Sequence, residues 1–351
     1  MSSFWESQPV LKTNDFIVDN NQGIIKHLDK NHVITCLPDH LEWTVLDTKC
    51  EKDLYSIYNL LKFNYVSNKN DTARLHYSMP FLKWALEPPG YRMEWTIGIR
   101  LCVNKKLVGF ISAIPVTLRI RGVSFKTSQV NFLCVHQKLR SQSFAPALIK
   151  EITRRVLLEG IDTSVYTSGT TFQTSLSICN YYYKNLDANT TTNLDDLTLR
   201  PIIKSDVPTV TKLLNDYNSQ FDFTPIYSED EVKHWFLPRD NVIYSYTTES
   251  VDQFVSFFQL PSTFKESEIK SMYLFYYYTP PNALSLTSLV GAALKLSRDV
   301  GANLFTCLDL MNNNKFLNKL NFKQGTVKLH YYAYNYKCNQ VSTQKMALVM
   351  L

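Results

Sequence analysis

The residues best suited to chemistry lie in a short polar turn between an apolar strand and a helix. Residues 130–135 are rich in strand-forming side chains, and Pro146 stands in the first turn of a helical repeat that Gly160 would end. Arg140 and Ser141 lie in the turn, where unpaired backbone N–H groups and the positive end of the helix dipole would meet an anion. The pattern predicts a phosphate-binding turn without the spacing of a P-loop or a Rossmann turn. An ordinary strand-to-helix connection with a solvated basic turn is the alternative.

Side-chain nucleophiles and metal ligands give a weaker signal. The seven histidines and seven cysteines are dispersed, with no HExxH and no CxxC pattern, so no metal site is expected. Cys134 and His136 lie two residues apart on one face of the predicted strand. They are either a Cys–His nucleophile or, as is commoner for cysteine, part of the packed core. Dispersed cysteines in a long chain also indicate reduced thiols and a cytoplasmic location.

The last residues of the sequence, 345–351, are almost all apolar and predict a strand. A chain that ends in a buried strand would hold its α-carboxylate in a structured site, where desolvation raises the pKa of the carboxyl group. From the residues alone, an edge strand whose carboxylate reaches water is the favoured interpretation.

Composition excludes several classes of protein. The chain has 351 residues, of which 45% are hydrophobic, so it can bury a large core. Its net charge of +6 comes from dispersed Lys and Arg, and its 21 Tyr and 20 Phe lie in apolar segments rather than in a basic stripe. This argues against nucleic acid and suits an anionic small molecule. No apolar run reaches the ~18 residues that span a bilayer, and no signal peptide is evident, so we expect a soluble monomer without stable membrane insertion.

The elements that position these residues are predicted to occur twice. A strand, an acidic turn and a helix over residues 43–65 are mirrored over residues 198–218. The sequence therefore predicts an α+β fold in which two pseudo-symmetric halves, 1–186 and 198–351, form one large mixed β-sheet saddle flanked by helices. Residues 187–197 lack periodicity and predict a short linker. Only the first half has the basic turn, so we assign the anionic ligand to it and a second substrate to the other half.

The strand and turn, NFLCVHQKLRS followed by EITRRV, resemble the signature of the eukaryotic-type N-myristoyltransferases. The turn itself is similar to the pyrophosphate loop of the GNAT acyltransferases. FWESQP near the N-terminus, FLKWAL with PGY, KLVGFISAIP, YTSG, LDLM and YYAYNYKC resemble further blocks of the family over almost the whole chain. The resemblance implies two GNAT-like halves. It also implies transfer of a myristoyl group from myristoyl-CoA, a co-substrate rather than a prosthetic group, to the N-terminal glycine amine of proteins.

The same resemblance implies roles for individual residues. Backbone N–H groups of Phe132 and Leu133 would form the oxyanion hole, and the terminal carboxylate of Leu351 would be the base. Asn131 and Thr167 would orient the amine, although without the resemblance a strand-edge amide and a capping hydroxyl explain them equally well. The implied acyl-CoA contacts are Ser3, Phe4, Trp5, Phe132, Leu133, Cys134, Val135, Arg140, Ser141, Gln142, Ser143, Phe144, Ala145 and Pro146. The implied peptide contacts are Tyr65, Tyr77, Tyr183, Ser256, Tyr273 and Thr306.

The chain departs from the family pattern where it would meet its ligands. Gln142 and Ser143 stand where the turn usually has two more basic residues, so weaker CoA binding is expected. SNKND at 67–71 and GTV at 325–327 replace acidic elements, which predicts that a preference for basic residues downstream of the glycine is lost or altered. These changes indicate a compact, divergent member, of a kind that a virus could carry. A related acyltransferase with another acyl or lysine specificity, or a non-catalytic acyl-CoA or peptide binding protein, are the alternatives.

Overall fold

The computed structural model describes residues 2–12, 23–29, 34–65, 73–171, 173–186, 197–264, 267–280 and 286–351. Its α-helices are α1 (Ser2–Glu6), α2 (Glu51–Asn64), α3 (Met79–Leu86), α4 (Phe144–Leu158), α5 (Val207–Asn218), α6 (Glu229–Phe236), α7 (Leu286–Asp299) and α8 (Asn314–Leu317). Its strands are β1 (Gly23–Ile24), β2 (Leu41–Val45), β3 (Ala73–Leu75), β4 (Thr96–Leu101), β5 (Leu107–Ile120), β6 (Val123–Val135), β7 (Ser164–Ser168), β8 (Ser177–Asn185), β9 (Arg200–Pro201), β10 (Phe223–Pro225), β11 (Ile243–Thr247), β12 (Phe254–Gln259), β13 (Ser262–Phe264), β14 (Ser267–Ile269), β15 (Ser271–Tyr278), β16 (Leu304–Leu308), β17 (Lys323–Tyr334) and β18 (Tyr336–Lys337).

One 13-stranded mixed sheet organises the chain. Its order is β2-β4-β5-β6-β7-β17-β8-β16-β15-β12-β11-β9, with β10 paired to β5. From either edge, antiparallel strands lead inward to one parallel pair, β6 with β7 on one side and β15 with β16 on the other. This arrangement, with helices between the strands in sequence, confirms the predicted α+β fold with one large mixed sheet.

The centre of the sheet shows an exchange of strands that the sequence did not predict. β17 lies between β7 and β8, and β8 lies between β17 and β16. The last strand of each half therefore pairs with the other half. The sheet is continuous because of this exchange, and any cleft at β7 is bordered by strands from both halves of the sequence.

Helices α2 and α4 cover opposite faces of the first half of the sheet. On α4, Leu148, Ile152 and Val156 are buried in one apolar cluster with side chains of β4 and β5. On α2, Leu54 and Ile57 are buried in the other, larger cluster. Because apolar residues of both helices recur at helical spacing, each helix packs one stripe on the sheet and fixes the segments that follow it.

Three helix ends are stabilised by local capping, and the one predicted at Gly160 is confirmed. The Ser78 hydroxyl accepts a hydrogen bond from the Phe81 amide at 3.2 Å and begins α3. Ser228 and Glu231 form a reciprocal capping box at the start of α6. Gly160 has φ +78° just after α4, in the left-handed conformation that ends a helix.

The two ends of the sequence differ in structure. Ser2–Glu6 is a short helix, whereas the strand predicted for residues 345–351 is wrong. In residues 345–351, only Met346 makes a β-bridge, with Phe223, and the residues after it belong to no strand. The predicted linker at 187–197 lies outside the described residues except for Leu197. Within the described part of the chain, no helix is long and apolar enough to cross a membrane.

Candidate active site

The sheet opens between its two central strands of the first half. β6 and β7 pair in parallel only at Ser128 with Ser164 and at Gln129 with Val165. Beyond these pairs β6 runs on to Val135 and β7 to Ser168 without further pairing to each other. Backbone groups on the facing edges are therefore available to a ligand that enters the gap.

A β-bulge in β6 lies on the edge of this gap. Phe110 pairs with Cys134 and Ser112 with Asn131, so Ile111 alone lies opposite both Phe132 and Leu133. Phe132 has φ +57°, a left-handed conformation that is uncommon for a bulky residue. A bulge of this kind re-aims backbone groups, often beside an active site. The bulge lies at Phe132 and Leu133, the two residues whose backbone the resemblance implies as the oxyanion hole.

Aromatic side chains hold the bulge in place. The Phe132 ring is buried and meets Tyr77 edge-on with centroids 5.3 Å apart, and Tyr65 at 6.0 Å. Burial raises the pKa of the Tyr65 phenol, and the nearby Phe132 backbone acts on that pKa in the opposite direction. The left-handed turn is thus stabilised by ring packing.

The gap opens into a cavity of about 970 Å³ at the centre of the molecule. Eleven of the 23 residues predicted to be functional line it together. They are Trp5, Tyr65, Tyr77, Asn131, Phe132, Leu133, Thr167, Tyr183, Tyr273, Thr306 and Leu351.

The lining carries very little formal charge. Among the described residues around the cavity there is no Asp, Glu or His side chain, and Lys328 is the one charged side chain. Cys307 also lines it, but burial raises the pKa of its thiol well above the usual value. A proton acceptor supplied by the described lining is therefore a group other than an acidic or imidazole side chain.

Asn131 presents an unpaired donor at the cavity. Its side chain is buried, and its Oδ1 receives a weak hydrogen bond of 3.5 Å from Gln129. Its Nδ2 has no hydrogen-bond partner among the described residues. Thr167 lies across the gap on β7, opposite Tyr331 in the register with β17. A buried amide donor without a partner is costly unless a ligand satisfies it.

The last residues of the sequence lie along the second side of the cavity. The Ala347 amide donates to the Phe223 carbonyl at 2.8 Å, and the Met311 amide donates to the Met346 carbonyl at 3.0 Å. Val349, Met350 and Leu351 follow and line the cavity. The residues predicted to act as base and as oxyanion hole thus border one space.

The basic turn between β6 and α4 has the backbone of an anion site. Ser141 and Ser143 have φ +70° and φ +62°, and Ser143 precedes the right-handed first residue of α4. Alternation of left- and right-handed residues turns successive N–H groups toward one point. The Ser143 side chain makes no capping bond, so it leaves the amides of the first turn of α4 open.

Arg140 is oriented toward the protein rather than away from it. Its Nε donates to the Val135 carbonyl at 3.3 Å, and its guanidinium also bonds the carbonyl of Asn64. The side chain therefore fixes the turn to the ends of β6 and α2 while contributing its charge. Ser141, Gln142 and Ser143 are exposed, and Phe144, Ala145 and Pro146 begin α4.

Comparisons with known proteins decide the family. Residues 22–179 match the model of the N-terminal domain of Myristoyl-CoA:protein N-myristoyltransferase, and residues 170–349 match the model of its C-terminal domain. Glycylpeptide N-tetradecanoyltransferase 2 of Danio rerio is 40% identical over 99% of this chain and 77% of its own length. The chain belongs to the N-myristoyltransferase family.

Solved structures agree with this assignment. A Saccharomyces cerevisiae N-myristoyltransferase with bound myristoyl-CoA superposes with a TM-score of 0.91, at 30% identity over 99% of this chain and 94% of that one. A GCN5-related N-acetyltransferase of Anabaena variabilis, 13% identical, superposes with a TM-score of 0.53 over 84% of this chain and 72% of that one. The second likeness concerns the fold alone, and it agrees with the predicted GNAT-like halves.

Some residues that the N-myristoyltransferase resemblance implied do not line the cavity. Ser256 is fully buried in β12, where its hydroxyl bonds the backbone of Tyr276. Cys134 is buried on the α2 side, and burial raises the pKa of its thiol to about 12. Because such a thiol stays protonated, the packed-core interpretation of Cys134 is the better one. Val135 packs with the α4 cluster, Phe4 packs edge-on against Trp5, and the side chain of Ser3 is outside the described residues.

Sequence reasoning missed other residues that line the N-myristoyltransferase cavity. Tyr181 lies two residues before Tyr183 on β8, and strand alternation could have found it. Tyr166 lies next to Thr167, and alternation would have placed it on the other face. The bulge at residues 325–327 of β17, where the sequence departs from the family pattern, also lines the cavity. A Cβ on Gly325 would stand 3.3 Å from the Tyr181 carbonyl oxygen.

Proposed function

We propose that this chain transfers a myristoyl group from myristoyl-CoA to the N-terminal glycine amine of peptides and proteins. Amide formation from a thioester needs a held acyl donor, a site for the developing oxyanion and a base for the amine. The observation that carries the proposal is the single cavity bordered by the Phe132 bulge, the open edge of β7 and Leu351. A cavity with no acidic or imidazole side chain in its described lining supports a backbone carboxylate as the base.

The acyl donor is assigned to the first half of the chain. The turn at Arg140–Ser143 and the open amides of α4 bind the phosphates of CoA. The thioester then lies in the gap between β6 and β7, and Trp5 with apolar residues of α4 covers the acyl-CoA. Since Gln142 and Ser143 add no positive charge, the backbone of the turn and Arg140 contribute most of the phosphate affinity.

The reaction proceeds without a covalent enzyme intermediate. In a chain that terminates at Leu351, the α-carboxylate accepts a proton from the glycine ammonium, and the neutral amine attacks the thioester carbonyl carbon. The C–N bond forms, the carbonyl oxygen becomes an oxyanion, and the amides of Phe132 and Leu133 bind it. The C–S bond then breaks, and the CoA thiolate leaves and takes up the second amine proton. Asn131 and Thr167 hold the amine during attack.

The peptide is assigned to a groove made by both halves. Tyr65, Tyr77 and Tyr183 belong to residues 1–186, and Tyr273 and Thr306 belong to residues 198–351. All five border the same cavity. In this proposal residues 198–351 chiefly bind the peptide, residues 187–197 link the halves, and the exchanged strands β8 and β17 bring the two sites together. The protein acts as a monomer in the cytoplasm and binds no nucleic acid, which its modest net charge of +6 supports.

The experiment measures CoA release from myristoyl-CoA with four peptides, and mass spectrometry confirms the products. Two octapeptides begin with glycine and differ by a lysine at the seventh position, one begins with alanine, and one has a blocked N-terminus and an internal lysine. Turnover restricted to the glycine-led peptides is expected, with little effect of the added lysine. Acylation of the blocked peptide alone would indicate a lysine acyltransferase. Binding of acyl-CoA without any turnover would indicate a binding protein.

A further inference from the structure

Two tyrosine hydroxyl groups hold the last residues of the chain. The Tyr331 hydroxyl donates to the Leu348 carbonyl at 2.8 Å. The Tyr276 hydroxyl accepts a hydrogen bond from the Val349 amide at 3.1 Å. Tyr276 lies on β15 and Tyr331 on β17. Side chains from two strands of the sheet therefore bond two consecutive residues of the tail, which we define as residues 346–351.

These side-chain hydrogen bonds take the place of the backbone-to-backbone hydrogen bonds that a β-strand would make. Ala347 makes the last backbone-to-backbone hydrogen bond of the tail within the described chain. After it, the Leu348 carbonyl and the Val349 amide are bonded by the two tyrosine side chains. Burial raises the pKa of the Tyr331 phenol well above its usual value, and the Met350 backbone nearby acts against that rise.

Both tyrosines are rigidly held. The side chain of Tyr276 is 0% exposed and that of Tyr331 is 1% exposed. The Tyr276 ring packs edge-on against Tyr227 at 5.6 Å and against Phe236 at 5.9 Å. A buried phenol in a fixed rotamer holds its oxygen in one position. It therefore also fixes the position of the backbone group that is hydrogen-bonded to that oxygen.

We infer that Tyr276 and Tyr331 are positioning residues that set where Leu351 stands in the cavity. The inference rests on the proposed function, because it assigns them to the Leu351 carboxylate. Met350 and Leu351 follow Val349, which Tyr276 holds. In a chain that terminates at Leu351, few torsions therefore lie between the held residue and the carboxylate. Tyr331 also lies opposite Thr167 in the register of β17 with β7. The same residue of β17 therefore bonds the tail and pairs with the strand that carries Thr167.

The positions of the reacting groups control the rate more than the affinity. A displacement of ~1 Å at a reacting group can cost ~100-fold in rate. Loss of one hydroxyl should therefore lower kcat by ~10- to 100-fold and leave the KM for myristoyl-CoA and for the peptide within ~3-fold. The acyl-CoA turn and the peptide groove contain neither hydroxyl.

The test compares Tyr331→Phe and Tyr276→Phe with a matched control, Tyr244→Phe. Tyr244 is on β11, where its hydroxyl bonds the Asn241 amide at 3.2 Å and the Gln259 side chain at 3.5 Å, away from the cavity. All three changes keep the ring and remove two hydrogen bonds or fewer, so similar losses of Tm are expected. Only the two tail variants should lose kcat.

A pH profile separates positioning from general loss of stability. The glycine amine has an ordinary pKa of ~8, and above that value solvent removes the proton that the carboxylate would take. The deficit of the tail variants should therefore be greatest below pH 8 and shrink at pH 9. A deficit that is equal at both pH values, or activity equal to that of wild type with intact binding, would overturn the inference. Turnover of the glycine-led peptide by the wild-type chain tests the proposed function separately from the positioning role. If one of the two tail variants does not fold, the kcat and pH profile of the other variant test the inference.

Discussion

Trp5 stacks on Tyr166, with ring centroids 5.7 Å apart and ring planes at 13°. Tyr166 stacks in turn on Tyr332, with centroids 5.4 Å apart. The three rings connect helix α1 to β7 and then to β17. The short N-terminal helix is thereby attached to the strand that forms one edge of the open gap, and Trp5 lines the cavity.

Replacement of Trp5 should weaken the binding of myristoyl-CoA. Trp5→Ala removes the stack, so the KM and Kd for myristoyl-CoA are expected to rise ~10-fold, whereas Trp5→Phe keeps an aromatic face and should stay within ~3-fold. Trp5 belongs to a small cluster separate from the two main cores, so the Tm should change little. Titration with myristoyl-CoA and thermal melts check this. A large drop in Tm with unchanged affinity would assign Trp5 to stability alone.

Replacement of Asn131 should separate stability from activity. Its Nδ2 is buried without a partner among the described residues, and such a group costs ~1–3 kcal/mol. Asn131→Ala should therefore leave the free energy of unfolding nearly unchanged while kcat/KM falls ~10- to 100-fold. Thr247→Val is the matched control, because it removes a satisfied bond to the Gln253 carbonyl far from the cavity. It should cost ~1 kcal/mol of stability and no activity. Reversal of the two patterns in urea denaturation and kinetics would contradict the proposed role.

Local features of the fold were accessible from the sequence, for a physical reason. The helix caps at Ser78 and Ser228 depend on residues three positions apart, and the long hairpin of β5 and β6 depends on a turn at Arg121 and Gly122. Apolar periodicity fixed which face of α4 is buried, because that face must meet the sheet. The bulge at Phe132 was not predicted, because the residues 130–135 alone indicate a regular apolar strand.

Long-range features were not accessible in the same way. The exchange of β8 and β17 joins strands from different halves, and nothing in either strand specifies its partner. The tail was mistaken for a strand because apolar residues dominate it, but its backbone is bonded by the hydroxyls of Tyr276 and Tyr331. Tyr331 is 17 residues and Tyr276 is 73 residues from the groups that they bond. Bonds of that separation leave no periodic signal.

The stability of the protein should fall between pH 6.5 and pH 4 because of His234. Its Nε2 donates to the Trp84 carbonyl at 2.7 Å, and its Nδ1 faces the Arg239 guanidinium at 3.4 Å, so the ring is held neutral. Burial lowers the pKa of His234 from 6.5 to about 4. The unfolded chain therefore takes up a proton below pH 6.5 that the folded chain refuses until about pH 4, and folding loses up to about 3 kcal/mol across that window.

The measurement for His234 is urea denaturation at pH 7 and pH 4.5. His234→Gln keeps a neutral donor but cannot titrate, so its loss of stability between the two pH values should be smaller than that of wild type by about 2 to 3 kcal/mol. Other histidines whose pKa is lowered by burial, such as His76 and His330, titrate equally in both proteins. Identical losses in the two proteins would show that His234 does not carry the effect.

The left-handed turn at Phe132 should matter more than its side chain. Leu and Ile have the same volume and remove the same aromatic contacts with Tyr65 and Tyr77, but Ile is β-branched and strongly disfavours the observed φ of +57°. Phe132→Ile should therefore flatten the bulge and turn the backbone donors away, with kcat at least ~10-fold below that of Phe132→Leu. The Kd for myristoyl-CoA should be similar in the two variants, because the phosphate turn lies elsewhere. Equal kcat values would mean that the donors do not depend on this turn, and the oxyanion site would have to be sought on the opposite edge, at β7.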